Sequence, residues 1–358
     1  MDGTRWKFTT TADEAWEIML ADCAEAKRSI DIEQFVFQED DIGKRFIEVL
    51  LQKAEEGLRV RVLVDAARSF PFSNSLQPEK LERAGAEIRF FNPINPWRVK
   101  YLKWWPFRDH RKLLVIDSII GHTGGVGINA RFHGWRDTNV RIEGTVVTEM
   151  EAAFKRIWEN ASLHRFKRFA RPVPDADGFQ FMTNSPHIHQ RYIYHALVSA
   201  IRKAEKTVYL TTPYFIPDLK FFRNIRRAAR RGVDVRILLP GQSDHPFLID
   251  IASGSYFSLA MKKGVRFFKY RKGIIHAKTA IIDGAWSTVG SMNLDSQGLF
   301  WCYEGNIVST NTEFAQELTQ HFFTDLEGSD EIRHNEWEGR SRRQKMLELS
   351  TWPFHKFL

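Results

Sequence analysis

The sequence predicts an α/β protein made of two similar domains, each a mixed β-sheet flanked by helices, with one composite site at their interface. The pattern H-x-K-x4-D occurs twice, first at His110 and again at His276. With Lys and Asp each at about one position in twenty, two matches that both precede a Gly-rich turn are not expected by accident. Segments typical of strands and of helices alternate around both copies, which is the α/β pattern.

The repeat extends well beyond the motif itself. Residues 57–65 resemble residues 232–240, and residues 84–91 resemble residues 263–268. A duplicated unit of about 165 residues, the size of a whole domain, explains these matches. Two similar domains with one motif each therefore predict a pseudo-twofold arrangement around a single site.

Local patterns justify the elements of the first unit in order. Thr11 and Glu14 form a capping box, which predicts the start of a helix. Residues 30–36 and the β-branched run 58–64 are typical of strands, and residues 42–50 carry apolar side chains at helical spacing. We assign residues 1–170 to the first domain and 179–335 to the second. Residues 171–178, rich in Pro, Asp and Gly, form the predicted linker, and residues 336–358 form a basic and aromatic tail.

Composition restricts the classes of protein. The chain has 358 residues and 43% apolar content, enough for two cores, and a net charge of +8 predicts an anionic partner. Cys23 and Cys302 lie in different units without metal-ligand spacing, so neither a disulfide nor a zinc site is predicted, and a reducing cytosol fits. No run of about 18 apolar residues is present and the N-terminus lacks a signal-peptide core, so neither a spanning nor an exported protein is expected.

Each motif copy predicts a half-site. His110 and Lys112, like His276 and Lys278, are two residues apart at the start of a short strand, so each pair shares one face. The two pairs are therefore expected to point into the same site.

Further polar residues follow each copy at similar distances. Gly-rich turns lead to Asn129 in one unit and to Ser291 and Asn293 in the other, and Asp137 and Glu304 begin matching carboxylate-x-Asn-aliphatic segments. Each His is thus expected to have a carboxylate that sets its tautomer and orientation.

The last residues of the motifs, Asp117 and Asp283, lie at the far ends of their strands. We predict that they are structural anchors rather than participants in proton transfer.

The paired motifs and their turns resemble the phospholipase D superfamily over residues 12–325, which implies two phospholipase D-like domains. Two departures are Cys302, where bacterial cardiolipin synthases usually have Asn, and Thr145, where Pro is common. The segments similar to those synthases are 37–43, 108–117, 135–144 and 212–218.

This resemblance implies a phosphatidyltransferase that acts on an anionic, phosphatidylglycerol-type phospholipid through a covalent phosphohistidine. It implies His110 as the nucleophile and His276 as the acid and base, although the sequence is symmetric on this point. Lys112 and Lys278 would neutralise the phosphate, while the Asn and Ser side chains donate hydrogen bonds to its oxygens. We therefore expect no metal and no cofactor.

Three alternatives stay open. A hydrolytic phospholipase D would use the same site with water as the acceptor, and a nuclease of the superfamily would use nucleic acid. A lipid-binding scaffold without activity is disfavoured because both motifs are complete. The aromatic and apolar segments disfavour nucleic acid, although aromatic residues can stack on single-stranded bases. The sequence does not predict an oligomeric state.

Membrane contact is predicted from two segments that mix basic and bulky apolar residues, the run 93–108 and the tail. Aromatic residues prefer the headgroup region, and Lys and Arg attract anionic lipid. The alternative for the first segment is a partly buried loop. We expect a peripheral protein on the cytoplasmic face of a membrane. The predicted contact residues are Trp97, Trp104, Trp105, Trp352, Phe354 and Phe357.

Overall fold

A computed structural model describes residues 3–93, 105–161, 168–242 and 247–351. It has the α/β architecture expected from the sequence, with two mixed sheets and helices packed on them. The strands of the first half are β1 (Arg5–Thr11), β2 (Ser29–Gln34), β3 (Arg59–Asp65), β4 (Glu87–Phe91), β5 (Arg108–Asp109), β6 (Lys112–Ile116), β7 (Ile120–Gly124) and β8 (Arg136–Glu143).

The second half repeats most of these strands. They are β9 (Phe179–Ser185), β10 (Gln190–Arg191), β11 (Thr207–Thr211), β12 (Asp234–Pro240), β13 (Arg266–Tyr270), β14 (Thr279–Ile282), β15 (Trp286–Gly290), β16 (Cys302–Ser309) and β17 (Ser329–Glu331).

The helices are α1 (Ala12–Ala24), α2 (Asp41–Glu55), α3 (Phe70–Ser73), α4 (Gln77–Arg83), α5 (Val146–Glu159), α6 (Tyr192–Lys203), α7 (Leu219–Arg230), α8 (Phe247–Met261), α9 (Ser296–Phe300), α10 (Thr312–Glu327), α11 (His334–Glu338) and α12 (Arg342–Ser350). The predicted capping box is present, because Thr11 Oγ1 accepts a hydrogen bond from the backbone N–H of Glu14 over 3.2 Å.

The two sheets have the same internal order. The first runs β1-β8-β7-β6-β2-β3-β4, and the second contains the matching path β9-β16-β15-β14-β11-β12-β13. In the first sheet, β6 pairs antiparallel with β2, and β2 pairs in parallel with β3. In the second, β14 pairs antiparallel with β11, and β11 pairs in parallel with β12. The duplication predicted from sequence is therefore a duplication of the whole sheet.

Asp117 and Asp283 have the same position and geometry in the two halves. Asp117 accepts hydrogen bonds from the backbone N–H groups of residues 27–29, and Asp283 does so from residues 205–207. Both have positive φ angles, 54° and 53°, a conformation that Asp tolerates better than most residues. Each carboxylate ties the turn after its motif strand to the start of the neighbouring strand, which is the geometry of an anchor.

The two halves share a core as well as a strand contact. One cluster of buried apolar side chains combines residues from both sheets, and includes Phe8 and Val140 with Phe179 and Phe314. β5 of the first half pairs in parallel with β16 of the second. The halves are thus joined by apolar burial and by backbone hydrogen bonds.

The predicted linker and tail have definite positions where the structure describes them. Residues 168–175 form no helix or strand, and β9 begins directly after the linker. In the tail, Arg340 pairs with the buried Glu348 at 2.7 Å, and Trp337 packs on Phe257 of α8. Within the described residues, no helix combines the length and the apolar character needed to cross a bilayer.

Candidate active site

The two motifs meet at a cavity of about 340 Å³ between the halves, called here the catalytic cavity. His110, Lys112, His276, Asn293 and Glu304 all line it. The sequence prediction that the two His side chains share one site agrees with this geometry.

Each imidazole pairs with a carboxylate from the opposite half. His110 Nδ1 lies 3.0 Å from Glu304 Oε1, and His276 Nδ1 lies 2.8 Å from Asp137 Oδ2. We call these two contacts the crossed pairs. A proton on Nδ1 donates to the carboxylate, so Nε2 is the nitrogen available for chemistry.

Backbone hydrogen bonds between the halves fix the crossed pairs. The N–H of His110 donates to the carbonyl of Tyr303, and the N–H of His276 donates to the carbonyl of Arg136. Each acceptor directly precedes the carboxylate of its strand. The spacing along the sequence gave one carboxylate to each motif, but the structure exchanges the carboxylates between the halves.

The two Lys side chains lie beside the imidazoles. Lys112 Nζ donates to the carbonyl of His110 over 2.6 Å and lies 4.9 Å from the centre of the Phe35 ring. Lys278 Nζ lies 2.8 Å from His276 Nε2. Burial, opposed by the charge of Glu304, lowers the pKa of Lys112 to about 7. Its charge therefore depends on pH in the physiological range.

The electrostatic environments of the crossed pairs differ. Burial and the nearby charges of Lys112 and Lys278 hold the pKa of His110 well below its ordinary value, which favours a neutral imidazole. Burial raises the pKa of Asp137, but Lys278 and His276 outweigh it, so that this pKa lies below its ordinary value. An ionised Asp137 stabilises a protonated His276.

Ser291 has a different role from the one predicted. Its hydroxyl donates to Glu304 and accepts from the N–H of Gly305 over 3.0 Å, and the side chain is fully buried. With its proton directed at Glu304, Ser291 supports the carboxylate and does not donate to a phosphate. Gly125 has the equivalent position, where a Cβ would lie only 2.4 Å from the Asp137 oxygens.

The predicted equivalence of Asn129 and Asn293 is wrong. Ile128 and Leu294 form matching bridges, so that Gly127, and not Asn129, occupies the position of Asn293. The Asn129 side chain instead accepts from the N–H of Arg131 over 2.8 Å. Counted from the motif His, Gly127 and Asn293 both lie 17 residues further on, whereas Asn129 lies 19 residues further on, so the approximate distance was misleading.

Asn293 lines the catalytic cavity, and the first half has only Gly127 at the equivalent position. It is buried, and its Oδ1 has no hydrogen-bond partner in the described residues. A buried amide oxygen without a donor is costly, so Oδ1 requires a hydrogen-bond donor that the described residues do not supply.

Sequence reasoning missed several groups that line the cavity. Arg68, Arg108 and Arg131 add positive charge, and Tyr214 and Cys302 form part of the wall. Arg108 and Tyr214 lie in the segments that carry the family resemblance. No sequence pattern marked Arg68 as a site residue, because only the fold brings the loop after β3 to the cavity.

Most of the predicted membrane-contact residues lie outside the described residues, namely Trp97, Trp104, Trp352, Phe354 and Phe357. Trp105 is described. It is half-buried, and its carbonyl accepts from Arg108 over 2.8 Å.

The described residues contain no cluster of three or more His, Cys, Asp or Glu side chains suited to a metal ion. The positive charge that faces the catalytic cavity comes from Lys and Arg side chains.

A protein-family model described as "Cardiolipin synthase, PLD-like domain" matches residues 19–158 and residues 197–326. The chain belongs to this family. The two matched ranges contain the two motifs and correspond to the two halves of the fold.

Full-length relatives agree with this membership. The chain is 32% identical to "Cardiolipin synthase 1" of Bacillus cereus, over 97% of this chain and 71% of that protein. It is also 32% identical to "Cardiolipin synthase" of Clostridium perfringens, over 92% of this chain and 72% of that protein.

Solved structures show how widely this fold is used. A phosphatidylserine synthase of Haemophilus influenzae superposes with a TM-score of 0.74 at 13% identity, over 99% of this chain and 95% of that one. A polyphosphate kinase of Porphyromonas gingivalis gives a TM-score of 0.63 at 15% identity, over 99% of this chain and 56% of that one. At these identities the likeness concerns the fold alone.

The crossed pairs lead to a first prediction. Glu304→Gln and Asp137→Asn keep the size of each side chain but put an amide, which can turn its NH2 group toward Nδ1, where the carboxyl group sets the imidazole tautomer, so each should lower kcat by about 10² to 10⁴. Steady-state kinetics of the folded variants measures this effect.

Asp22→Asn is the matched control, because Asp22 pairs with His122 at 2.7 Å outside the catalytic cavity. This control should lower the melting temperature and leave kcat within about threefold. Equal losses of kcat in all three variants would contradict a specific role of the crossed pairs.

The lowered pKa of Lys112 leads to a second prediction. Its charged form is present below pH 7 and is lost as the pH rises through about 7. Since kcat/KM reports the free enzyme, kcat/KM for an anionic substrate should fall above that pH. In Lys112→Arg the side chain stays charged at all these pH values. The pH at which kcat/KM falls should therefore be higher in this variant, even if its maximal kcat/KM differs from that of the unchanged protein. Identical alkaline midpoints for both proteins would exclude Lys112 as the titrating group.

Proposed function

We propose that this protein is a phosphatidyltransferase that joins two phosphatidylglycerol-type lipids into cardiolipin. The observation that carries the proposal is the pair of imidazoles, each held by a carboxylate, in a cavity lined by Lys and Arg side chains. Such a site suits a phosphodiester, which is an anion that repels nucleophiles until its charge is neutralised.

In the first step, His110 Nε2 forms a bond to phosphorus of the donor lipid. The bond between phosphorus and the glycerol oxygen breaks, and His276 gives that oxygen a proton as glycerol leaves. The low pKa of His110 favours the neutral nucleophile, and the ionised Asp137 favours the protonated acid.

In the second step, a hydroxyl oxygen of the acceptor lipid forms a bond to phosphorus. The bond between phosphorus and His110 breaks, and the hydroxyl proton passes to His276, which restores both imidazoles. Lys112, Lys278 and the amide of Asn293 are placed to hold the non-bridging oxygens in both steps.

Hydrolysis is the competing reaction, because water can take the place of the acceptor hydroxyl. The two outcomes share the first step and differ only in what attacks the phosphohistidine. The proposal therefore depends on preferential entry of a lipid alcohol.

The test is incubation of purified protein with phosphatidylglycerol vesicles, followed by mass spectrometry of the lipids. Cardiolipin plus free glycerol is the expected result, and EDTA should leave the rate unchanged because Lys and Arg neutralise the phosphate. His110→Ala and His276→Ala should each abolish turnover. Phosphatidic acid as the main product would support a lipase, and DNA cleavage without lipid turnover would support a nuclease.

We also propose that the protein binds a membrane surface peripherally, on the cytoplasmic face. The exposed side of α12 supports this, since Met346 and Leu349 lie three residues apart with 71% and 66% of their surface exposed. Arg342 and Arg343, one turn earlier, are also exposed. This mixture of apolar and basic residues is typical of an interfacial helix, and the predicted contact residues Trp352, Phe354 and Phe357 follow it along the chain.

The tail packs on α8, so its membrane contact is better tested by substitution than by deletion. Deletion from residue 340 would remove the buried Glu348 and uncover α8, so substitutions are the cleaner choice. Met346→Glu with Leu349→Glu should weaken co-sedimentation with anionic vesicles at least tenfold, because two apolar side chains of about 1.5–3 kcal/mol each lose their lipid contact. Turnover of a soluble phosphodiester should stay the same.

Val173→Glu is the matched control, because Val173 is equally exposed, at 74%, but lies in the predicted linker. It should bind vesicles as the unchanged protein does. Unaltered binding by the α12 variant would rule this helix out as a membrane contact.

A further inference from the structure

One side of α7 carries only positive charge. The helix contains five Lys and Arg residues and no Asp or Glu. Four of them are exposed and lie three or four residues apart, which places them along one side of the helix. We call these four side chains the basic face: Lys220, Arg223, Arg227 and Arg230.

The protein itself does not balance this charge. In the part of the chain that the structure describes, no carboxylate forms an ion pair with the basic face. Its members are about one helical turn apart, roughly 5–6 Å, which is less than the Debye length of about 8 Å at physiological salt, so they repel one another. Lys220 also lies in the first turn, where the helix dipole disfavours a cation. The basic face therefore costs stability in the free protein.

The end of α6 adds to the same field. Arg202 and Lys203 are exposed in its last turn. Arg231, directly after α7, donates to the carbonyl of Ala204 over 2.8 Å and so holds the two helix ends together. The positive surface therefore extends beyond α7 itself.

The matching helix of the first half shows that the fold does not require such a surface. α2 and α7 follow the equivalent strands β2 and β11, and the side chains of Asp40 and Asp218 cap them in the same way. Both helices bury an apolar side in the core of their half. α2 nevertheless has three basic and three acidic residues, and hence no net charge. The excess charge of α7 therefore serves something other than packing.

The basic face lies on the same side of the second sheet as the tail. α7 packs beside α8, where the rings of Phe222 and Tyr256 are 4.9 Å apart, and α11 packs on α8 in turn. α7 begins three residues after Ile216, which lines the catalytic cavity. One side of the molecule thus combines the basic face, the exposed side of α12 and a wall of the cavity.

The surroundings of the basic face favour a lipid surface over a nucleic acid. Leu219, one turn before Arg223, is 66% exposed, and an apolar side chain beside basic ones suits the boundary between headgroups and acyl chains. A duplex would offer phosphates but no apolar layer for Leu219. Proteins that bind single strands stack the bases on aromatic rings, whereas Phe221 and Phe222 of α7 are buried.

We propose that the basic face is an electrostatic docking surface for an anionic lipid bilayer. The choice of a lipid partner rests on the proposed function, and the surface is separate from the apolar contact proposed for α12. Charges attract an anionic surface before contact, whereas apolar side chains act only once they reach the lipid. The contribution of the basic face should therefore weaken with salt, and that of α12 should not.

The test is co-sedimentation of the full-length protein with vesicles of equal parts phosphatidylglycerol and phosphatidylcholine. The test variant combines Arg223→Gln, Arg227→Gln and Arg230→Gln, which keeps good helix formers at exposed positions. A basic residue near an anionic surface contributes about fivefold to binding, so the apparent Kd should rise at least tenfold at physiological salt and by less than threefold at about 0.5 M salt. The melting temperature should stay the same or rise, because repulsion within α7 is relieved.

The matched control combines Lys44→Gln, Lys80→Gln and Arg83→Gln, which removes the same charge from exposed positions on α2 and α4. It should bind vesicles within threefold of the unchanged protein. A rise in Kd of less than threefold at physiological salt in the α7 variant, or an equal rise in both variants, overturns the docking surface. Unaltered vesicle binding with weakened binding of a DNA oligonucleotide, measured by fluorescence anisotropy, assigns the basic face to nucleic acid instead. Vesicle binding needs no turnover, so absence of cardiolipin from the unchanged protein overturns the proposed function alone.

Discussion

The crossed pairs are the interaction on which the rest of the site depends. An imidazole from each half is oriented by a carboxylate from the other, over 3.0 Å for His110 with Glu304 and 2.8 Å for His276 with Asp137. Neither half alone supplies both members of a crossed pair. Buried ionisable groups are stable only when paired, so correct docking of the two sheets satisfies the same groups that the chemistry needs. The shared apolar core makes this docking favourable.

Duplication makes the two halves of the site similar, and a few substitutions between the copies give the two imidazoles different neighbours. The loop after β7 has Gly125 and Gly127 where the loop after β15 has Ser291 and Asn293. Ser291 therefore supports one carboxylate while Gly125 makes room for the other, and only the second half adds an amide to the cavity. Burial, Lys112 and Lys278 lower the pKa of His110, while the pKa of Asp137 beside His276 is lowered, against the effect of burial, by Lys278 and His276, so the two imidazoles have different electrostatic surroundings. A two-step transfer requires such a difference, because one ring attacks while the other gives up a proton.

α8 connects three parts of the molecule. Ile249 of α8 lines the catalytic cavity, and the tail helices α11 and α12 pack against α8 through Trp337 and the buried Glu348. The outer face of α12 then carries Met346 and Leu349. If that face contacts lipid, α8 links the membrane contact to the catalytic cavity.

The sequence by itself determined the duplicated α/β fold, the two motif pairs and the anchoring positions of Asp117 and Asp283, because these depend on local spacing and on burial patterns that repeat. Only the tertiary structure decided which carboxylate meets which imidazole, since the exchange between halves has no trace in sequence distance. It also excluded Asn129 from the position of Asn293 and showed that the Ser291 hydroxyl donates to Glu304, because these contacts are set by how strands and loops pair in the folded sheets. The position of Arg68 could not be predicted from the sequence either. Arg68 follows β3, and only the packing of the sheets and helices brings it beside the motif residues.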